Sequence, residues 1–259
     1  MTIPDTINIP TAHGNMLANR YGINQTTALI KTDAALEHQK IDVAQKICHL
    51  SKNDSVMLDI GAKFGSYALS CAKTLAEKGG QVHAFEDQKI LAYTICGTTV
   101  LNNLENLFVH HACVGNAHDD IPVPCFDYHK VMNFGSIEFG ETQHEKLQQE
   151  RGVPQEVVRQ VRIDDFNFEK VCFMKIDVEG MELKVLDGAK ETIQKSLPVI
   201  QLEALKSDIN SILKKIVSLS ASYNICQYGP CDILCITDGL MEKLGLKKEY
   251  IMLSTAPFS

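Results

Sequence analysis

SVMLDIGAKFG, residues 55–65, decides the fold. It opens as a short apolar run, meets an acid at Asp59, and turns on Gly61 and Gly65. Residues 66–78 follow, with Leu69, Ala72, Leu75 and Ala76 on one helical face before Gly79 and Gly80. Strand, tight turn, helix and stop are read from one continuous stretch. Glycine at such a turn lets the backbone approach a ligand closely, and the free amides that start the next helix attract an anionic group.

Working outward, the unit repeats. Residues 81–85 form a strand closing on Glu86, 90–102 a helix, and 107–114 a third strand. That rhythm predicts parallel βαβ crossovers with helices on both faces of a sheet. Upstream, Leu36, Val43, Ile47 and Leu50 recur at helical spacing behind a Thr32-Asp33 cap, predicting a helix over 33–50. The rhythm lapses over 116–168, where Pro122, Pro124 and an Asn133-Phe134-Gly135 turn interrupt it and the polar segment 138–159 has moderate helical character. We read that stretch as an insertion. Order returns with a strand over 171–176 ending in Asp177, and with a helix over 181–195 carrying Met181, Val185, Ala189 and Ile193 on one face. A strand over 198–202 then reaches Glu203. Ile209, Ile212, Leu213, Ile216 and Val217 mark an amphipathic helix capped by Ser207-Asp208. Residues 223–228 and 231–237, parted by Gly229-Pro230, read as an antiparallel hairpin closing the sheet edge.

The 259 residues are 45% hydrophobic and 22% charged, which fits one large α/β domain with room for an extension or insertion. No run approaches the ~18–20 apolar residues of a membrane span, and residues 1–10 lack the layout of a signal peptide, so the expected location is cytoplasmic. Nine cysteines are scattered and odd in number, with Cys172, Cys226 and Cys235 inside apolar runs, where a thiol acts as a small hydrophobe. Cys226, Cys231 and Cys235 match no common zinc template. A net charge of −7 disfavours nucleic acid, and the basic pairs Lys214-Lys215 and Lys247-Lys248 are short enough to be solvated faces.

The candidate chemistry gathers at strand ends. Asp59 is an acceptor beside a glycine turn, better suited to an ammonium or hydroxyls than to a pyrophosphate, and the dinucleotide pattern G-x-G-x-x-G is absent. Glu86, at the next strand end, is placed to accept hydrogen bonds from the two ribose hydroxyls of an adenosine. Lys175, Asp177, Glu179 and Glu182 cluster after the 171–176 strand, able to hold a divalent metal or to include a base for a hydroxyl; Glu182 reads better as a helix-dipole partner. Glu203 is a further candidate acid. His110 and His111 point to opposite faces of their strand, and His83 reads as structural.

These motifs resemble the FkbM-type methyltransferase family, whose S-adenosylmethionine-dependent enzymes mostly methylate hydroxyl oxygens of sugars and natural products. The likeness runs from about residue 56 to 237. Its most specific part is MKIDVEGMELKVLDGA, residues 174–189. Further anchors are Asp59-Ile60-Gly61-Ala62 with Gly65, Ala84-Phe85-Glu86, Leu101-Asn102 with Asn106, Asn133-Phe134-Gly135, and Ile163-Asp164-Asp165-Phe166. The resemblance implies a Rossmann-like class I methyltransferase fold, a mostly parallel seven-stranded sheet with an antiparallel edge hairpin. It implies that Asp59, Gly61, Ala62 and Gly65 border the methionine part of S-adenosylmethionine, that Glu86 holds its ribose, and that Asp177 and Glu179 face the reacting centre, with Lys175 in support. In two places the chain departs from the family: Lys63 stands where asparagine is usual, and Asp87 where proline is usual.

The expected function is O-methylation of a hydroxyl on a glycan or small natural product, with Asp177 or Glu179 as base or as ligand to a divalent metal. The rival readings are an RNA or protein methyltransferase, which would need a basic or aromatic groove, and a cofactor-binding scaffold without turnover. Residues 1–50 form an N-terminal extension and 51–259 the methyltransferase domain. The extension and the 116–168 insertion are expected either to cover the acceptor or to pack on the sheet edges or on a partner in a homo-oligomer.

Overall fold

The computed structural model describes residues 5–134 and 154–246. In chain order, an N-terminal segment forms Thr6–Thr11 (β1), Gly14–Asn19 (β2), Gln25–Thr32 (α1) and His38–Leu50 (α2). The decisive stretch then gives Val56–Ile60 (β3), buried at every position, and Ser66–Ala76 (α3). Gln81–Glu86 (β4), Lys89–Leu101 (α4) and Leu107–His111 (β5) carry the chain to one edge of the sheet. Cys113–Val114 (β6), Asp120–Pro124 (β7) and Gln155–Val161 (β8) form a small separate sheet, followed by a 3₁₀ turn at Ile163–Phe166. The second half contributes Val171–Ile176 (β9), Glu182–Gly188 (α5), Lys190–Ser196 (α6), Val199–Glu203 (β10), Ile209–Leu219 (α7), Tyr223–Gln227 (β11), Asp232–Thr237 (β12) and Asp238–Leu244 (α8).

The main sheet has seven strands in the order β11-β12-β10-β9-β3-β4-β5, and β12 alone runs antiparallel to its neighbours. From β3 the chain winds outward through β4 and β5, then returns to place β9 on the other side of β3. That reversal is a topological switch point, where parallel α/β sheets open a crevice at the carboxyl ends of their strands. The β3–β9 register sets Asp59 opposite Lys175 there. Alternation along the strands divides the core. Met57, Ala84 and Phe173 pack toward α2 and α3 on one face; Leu58, Ile60, Phe85 and Ile176 pack toward α5, α6 and α7 on the other. No helix among the described residues is long and apolar enough to cross a membrane.

Several local expectations need correction. The helix expected over 33–50 begins only at His38, and a separate α1 precedes it; Asp33 closes α1 in the left-handed conformation (φ 55°) instead of starting α2. The buried face of α2 is Ile41, Ala44, Ile47 and Cys48, with Leu36 and Leu50 exposed. The third strand breaks at Ala112 into β5 and β6. Residues 155–159 are strand, not helix; Gly135 and residues 138–153 of the expected insertion lie outside the described residues, as do Lys247 and Lys248. The helix expected over 181–195 breaks at Ala189. A Cβ on Gly188 would stand 1.8 Å from the Gly115 carbonyl oxygen, and Asp164 caps the new start by accepting from Glu191 N at 3.1 Å and Thr192 N at 2.9 Å.

Candidate functional site

The turn after β3 is fixed by close backbone approach. Gly61 has φ 77°, and a Cβ there would lie 1.9 Å from the carbonyl oxygen of Asp177 on the neighbouring strand end. The amides of Gly61 and Ala62 both donate to the Phe85 carbonyl at 3.0 Å. Lys63 also has positive φ, 54°, a region asparagine enters more readily than lysine. Its amide donates to Glu86 Oε2 at 2.8 Å, while Glu86 Oε1 accepts from Gln88 N at 3.0 Å. Burial pushes the Glu86 carboxyl well above the usual range, and the neighbouring Asp87 pushes the same way.

Asp59 is fully buried behind this turn. Its Oδ2 accepts from Ala68 N at 3.0 Å, in the first turn of α3, and its Oδ1 lies 3.5 Å from Lys175 Nζ. Lys175 Nζ donates to the Gly61 carbonyl at 2.7 Å and stands 3.4 Å from Asp177 Oδ2. Asp59 thus anchors helix and lysine together from within the core.

At the end of β9, Asp177 N bonds Ile60 O at 3.0 Å and Asp177 Oδ2 meets Lys63 Nζ at 2.9 Å. Glu179 and Gly180 both have positive φ, 52° and 106°, and Glu179 Oε1 comes to 3.8 Å from Lys63 Nζ. Glu203, on β10, completes a group in which Asp177, Glu179 and Glu203 each bring an oxygen within 4.8 Å of the others. Burial opposes ionisation of Asp177, yet Lys175 and Lys63 outweigh it and hold that carboxyl below the usual carboxylate range. Burial pushes Glu179 up to about 7. Burial and the neighbouring Asp177 push the Glu203 carboxyl up to about 8. Glu182 faces elsewhere, bonded to Gly180 N and Ser207 Oγ at the start of α5.

Two clefts open at this crevice. One, about 480 Å³ with its mouth, is lined by Gly61, Phe85, Glu86, Asp87, Gln88, Ala112, Cys113 and Met181. The other, about 1030 Å³ with its mouth, lies between the turn and the N-terminal segment, with Asn24, Gln25, Glu37, Ala62, Phe64, Tyr67, Asn133, Lys175 and Glu203 on its walls. Lys63, Asp177 and Glu179 belong to both and form the partition. The candidate residues Gly61, Ala62, Glu86, Lys175, Asp177 and Glu179 therefore come together at the clefts, whereas Asp59 and Gly65 lie behind them. Sequence reasoning missed Asn24, Gln25 and Glu37, which follow no motif and reach the cleft only through the packing of the N-terminal segment.

The remaining polar candidates are structural. His83 Nδ1 and His110 Nε2 lie 3.0 Å apart in a stack with Phe85 and Phe108, outside both clefts. All nine cysteines are free, and among the described residues the only metal-competent group is the carboxylate trio.

A family model described as the methyltransferase FkbM domain matches residues 59–225. Among solved structures, an FkbM methyltransferase from Methylobacillus flagellatus KT is similar at 18% identity and a TM-score of 0.51, over 85% of this chain and 56% of that one. The chain thus spans little more than half the length of that protein. A precorrin-6y C5,15-methyltransferase from Geobacter metallireducens GS-15 is similar at 16% identity and a TM-score of 0.44, over 80% of this chain and 90% of that one. At 18% identity the likeness to the first of these is one of fold. No curated protein matches the chain.

Proposed function

The chain belongs to the FkbM methyltransferase family of S-adenosylmethionine-dependent enzymes, and on that premise we propose that it O-methylates a hydroxyl of a sugar, glycan or small natural product. The observation that carries this reading is the shared wall of Lys63, Asp177 and Glu179: a cofactor in one cleft and an acceptor in the other would meet across it.

The first cleft carries polar and apolar groups suited to S-adenosylmethionine. Glu86 is held in place by the two backbone amides its oxygens accept and stands on the cleft wall, where it can bond a ribose hydroxyl. Phe85, Ala112, Cys113 and Met181 offer apolar walls to an adenine. Gly61 borders the methionine part from this cleft and Ala62 lies on the acceptor side of the same turn; Asp59 and Gly65 act from behind, holding the turn and α3. When bound, this cofactor supplies a methyl group made electrophilic by its sulfonium.

The protein's own task is to position the acceptor hydroxyl and remove its proton, because an alcohol is too weak an acid to ionise unaided near neutrality. We assign the base to Glu179. With its carboxyl near pH 7, a large fraction is ionised at neutral pH while its basicity remains useful. The acceptor O–H proton passes to a Glu179 carboxylate oxygen as the oxygen attacks. Asp177, held ionised, is the weaker base and orients Lys63 and Lys175, whose positive charges support the centre. Asn24, Gln25 and Asn133 give the second cleft amides for a polyhydroxylated ligand, and Phe64 with Leu36 gives an apolar surface for its ring face. The acids there, Glu37, Asp177, Glu179 and Glu203, outnumber the lysines Lys63 and Lys175 and disfavour a phosphate backbone, which ranks the RNA reading lower.

Calorimetric titration with S-adenosylmethionine and S-adenosylhomocysteine, with NAD as control, tests the assignment. Micromolar binding of the first two, lost in Glu86→Ala, is expected. A folded protein that binds neither overturns the reading, and binding without methylation of any hydroxylated acceptor moves it to the scaffold alternative.

A further inference from the structure

The carboxylate trio where the clefts meet has the donor chemistry of a divalent-cation centre. Asp177, Glu179 and Glu203 place oxygens within 4.8 Å of one another, so one hard cation could bridge all three. Two further oxygens, Asp177 Oδ1 and Glu179 Oε2, are buried and receive no N–H or hydroxyl hydrogen bond, on side chains that are respectively 6% and 9% exposed. Such a centre should attract a counter-ion from solution. The chain already supplies one. Lys63 Nζ lies 2.9 Å from Asp177 Oδ2 and 3.8 Å from Glu179 Oε1, its stem coming from a residue whose left-handed backbone is held by the hydrogen bond that its N–H donates to Glu86 Oε2.

We infer that the Lys63 ammonium stands in for a divalent cation at this carboxylate centre, and that its removal turns the centre into a metal site. A metal ion takes carboxylate oxygens at about 2.0–2.6 Å. One bridging the trio would stand within a few ångströms of the ammonium, where two like charges in a partly buried crevice repel strongly. Lysine and metal therefore exclude each other. Lys175, 3.4 Å from the same oxygen but also tied to Asp59 and the Gly61 carbonyl, has its charge committed to holding the turn and leaves the Glu179 and Glu203 side open. The inference deepens the reading above and rests on it for the consequence that Lys63 makes the proposed reaction centre independent of metal.

The test is titration of the full chain with Mn²⁺, followed by calorimetry and by the electron paramagnetic resonance signal of free Mn²⁺. Lys63→Asn should acquire one saturable site, at least about tenfold tighter than any site of the parent protein, and Lys63→Asn/Glu203→Gln should lose it. Lys63→Met, which keeps the apolar stem, serves as the second variant and should gain the same site if Lys63→Asn folds poorly. A parent protein that binds Mn²⁺ as tightly as the variants, at a site removed by Glu203→Gln, overturns the inference. So do folded Lys63→Asn and Lys63→Met proteins that bind no Mn²⁺. S-adenosylhomocysteine titrated into the parent protein separates the two readings: retained binding with failed Mn²⁺ arms sinks only the lysine inference, and absent binding sinks the cofactor reading while the Mn²⁺ arms still stand or fall alone.

Discussion

Gly61→Ala should unfold the crevice from its centre, and Gly65→Ala makes a control within the same turn. Both glycines have nearly the same left-handed φ, 77° and 76°, so an alanine at either site bears the same conformational cost of about 1–2 kcal/mol. Their surroundings differ. At Gly65 the added methyl meets only Ile95 side-chain carbons at 3.1 Å, which can yield by a few tenths of an ångström. At Gly61 it meets a backbone carbonyl oxygen at 1.9 Å, and that oxygen belongs to Asp177, whose amide is bonded to Ile60 and whose carboxylate is bound to Lys63 and Lys175. Relieving the contact to ordinary separation requires the β3 and β9 ends to part by more than an ångström. That breaks at least the Asp177–Ile60 bond and disturbs a buried ion cluster, adding roughly 2–3 kcal/mol to the conformational term. Urea denaturation should therefore show a loss of about 4 kcal/mol for Gly61→Ala against about 1–2 for Gly65→Ala. Equal losses at the two sites would refute the reasoning, because they would mean that the Asp177 carbonyl yields freely and that the turn does not need its glycine for approach.

The base assignment predicts a pH profile. Burial raises the Glu179 carboxyl to about 7, and the base form is the ionised one, so log kcat should rise with unit slope toward pH 7 and level above it. Glu179→Gln should abolish that rise and lower kcat about 10²–10⁴-fold with S-adenosylhomocysteine affinity within a few-fold of the parent; a variant that keeps both turnover and the profile would remove Glu179 from the role. Asp164→Ala should cost about 2–3 kcal/mol in thermal or urea unfolding, since it strips the amides of Glu191 and Thr192 and the Thr192 hydroxyl of their shared acceptor, yet leave cofactor affinity unchanged. Weakened cofactor binding at intact stability would show that this residue serves the site and not α6.

The legible parts of the chain were those in which one local pattern fixes one structure. The stretch 55–65 reads as strand and turn because β3 is covered on both faces and Gly61 lies too close to the Asp177 carbonyl for any side chain. The acids at the ends of β3, β4 and β9 fall at the crevice because a parallel sheet ends all its strands on one side. Illegible features depend on distant partners. The β1–β2 hairpin gains its bonds from α4, with Asn102 exchanging hydrogen bonds with the backbone of Asn15 and Thr98 accepting from Leu17 N, across more than 80 residues. Asp33 misled because aspartate suits a helix start and also tolerates the left-handed end it adopts. The helical period over 181–195 is real on both sides of Ala189, and only the Gly115 backbone lying against Gly188 breaks it. Asp59 carries a binding motif's signature, yet its carboxylate turns inward, because the α3 amide and Lys175 are its nearest partners.

Lys63 shows how one side chain on a fixed turn can set the charge of a site. The left-handed conformation at residue 63 is demanded by its neighbours, since Gly61 and Ala62 are pinned to Phe85 and the residue 63 amide must reach Glu86. Any side chain there inherits that backbone, and lysine inherits it at a cost of about 1 kcal/mol over asparagine. What offsets the cost is the ion pair at 2.9 Å with Asp177, a residue exposed by only 6%, where a carboxylate without compensation would be far less tolerable than on the surface. The exchange moves a fixed positive charge onto the wall between two clefts. It joins Lys175 in keeping Asp177 ionised and sets an ammonium beside Glu179, so a residue of the turn shares with the signature segment the control of that wall's charge.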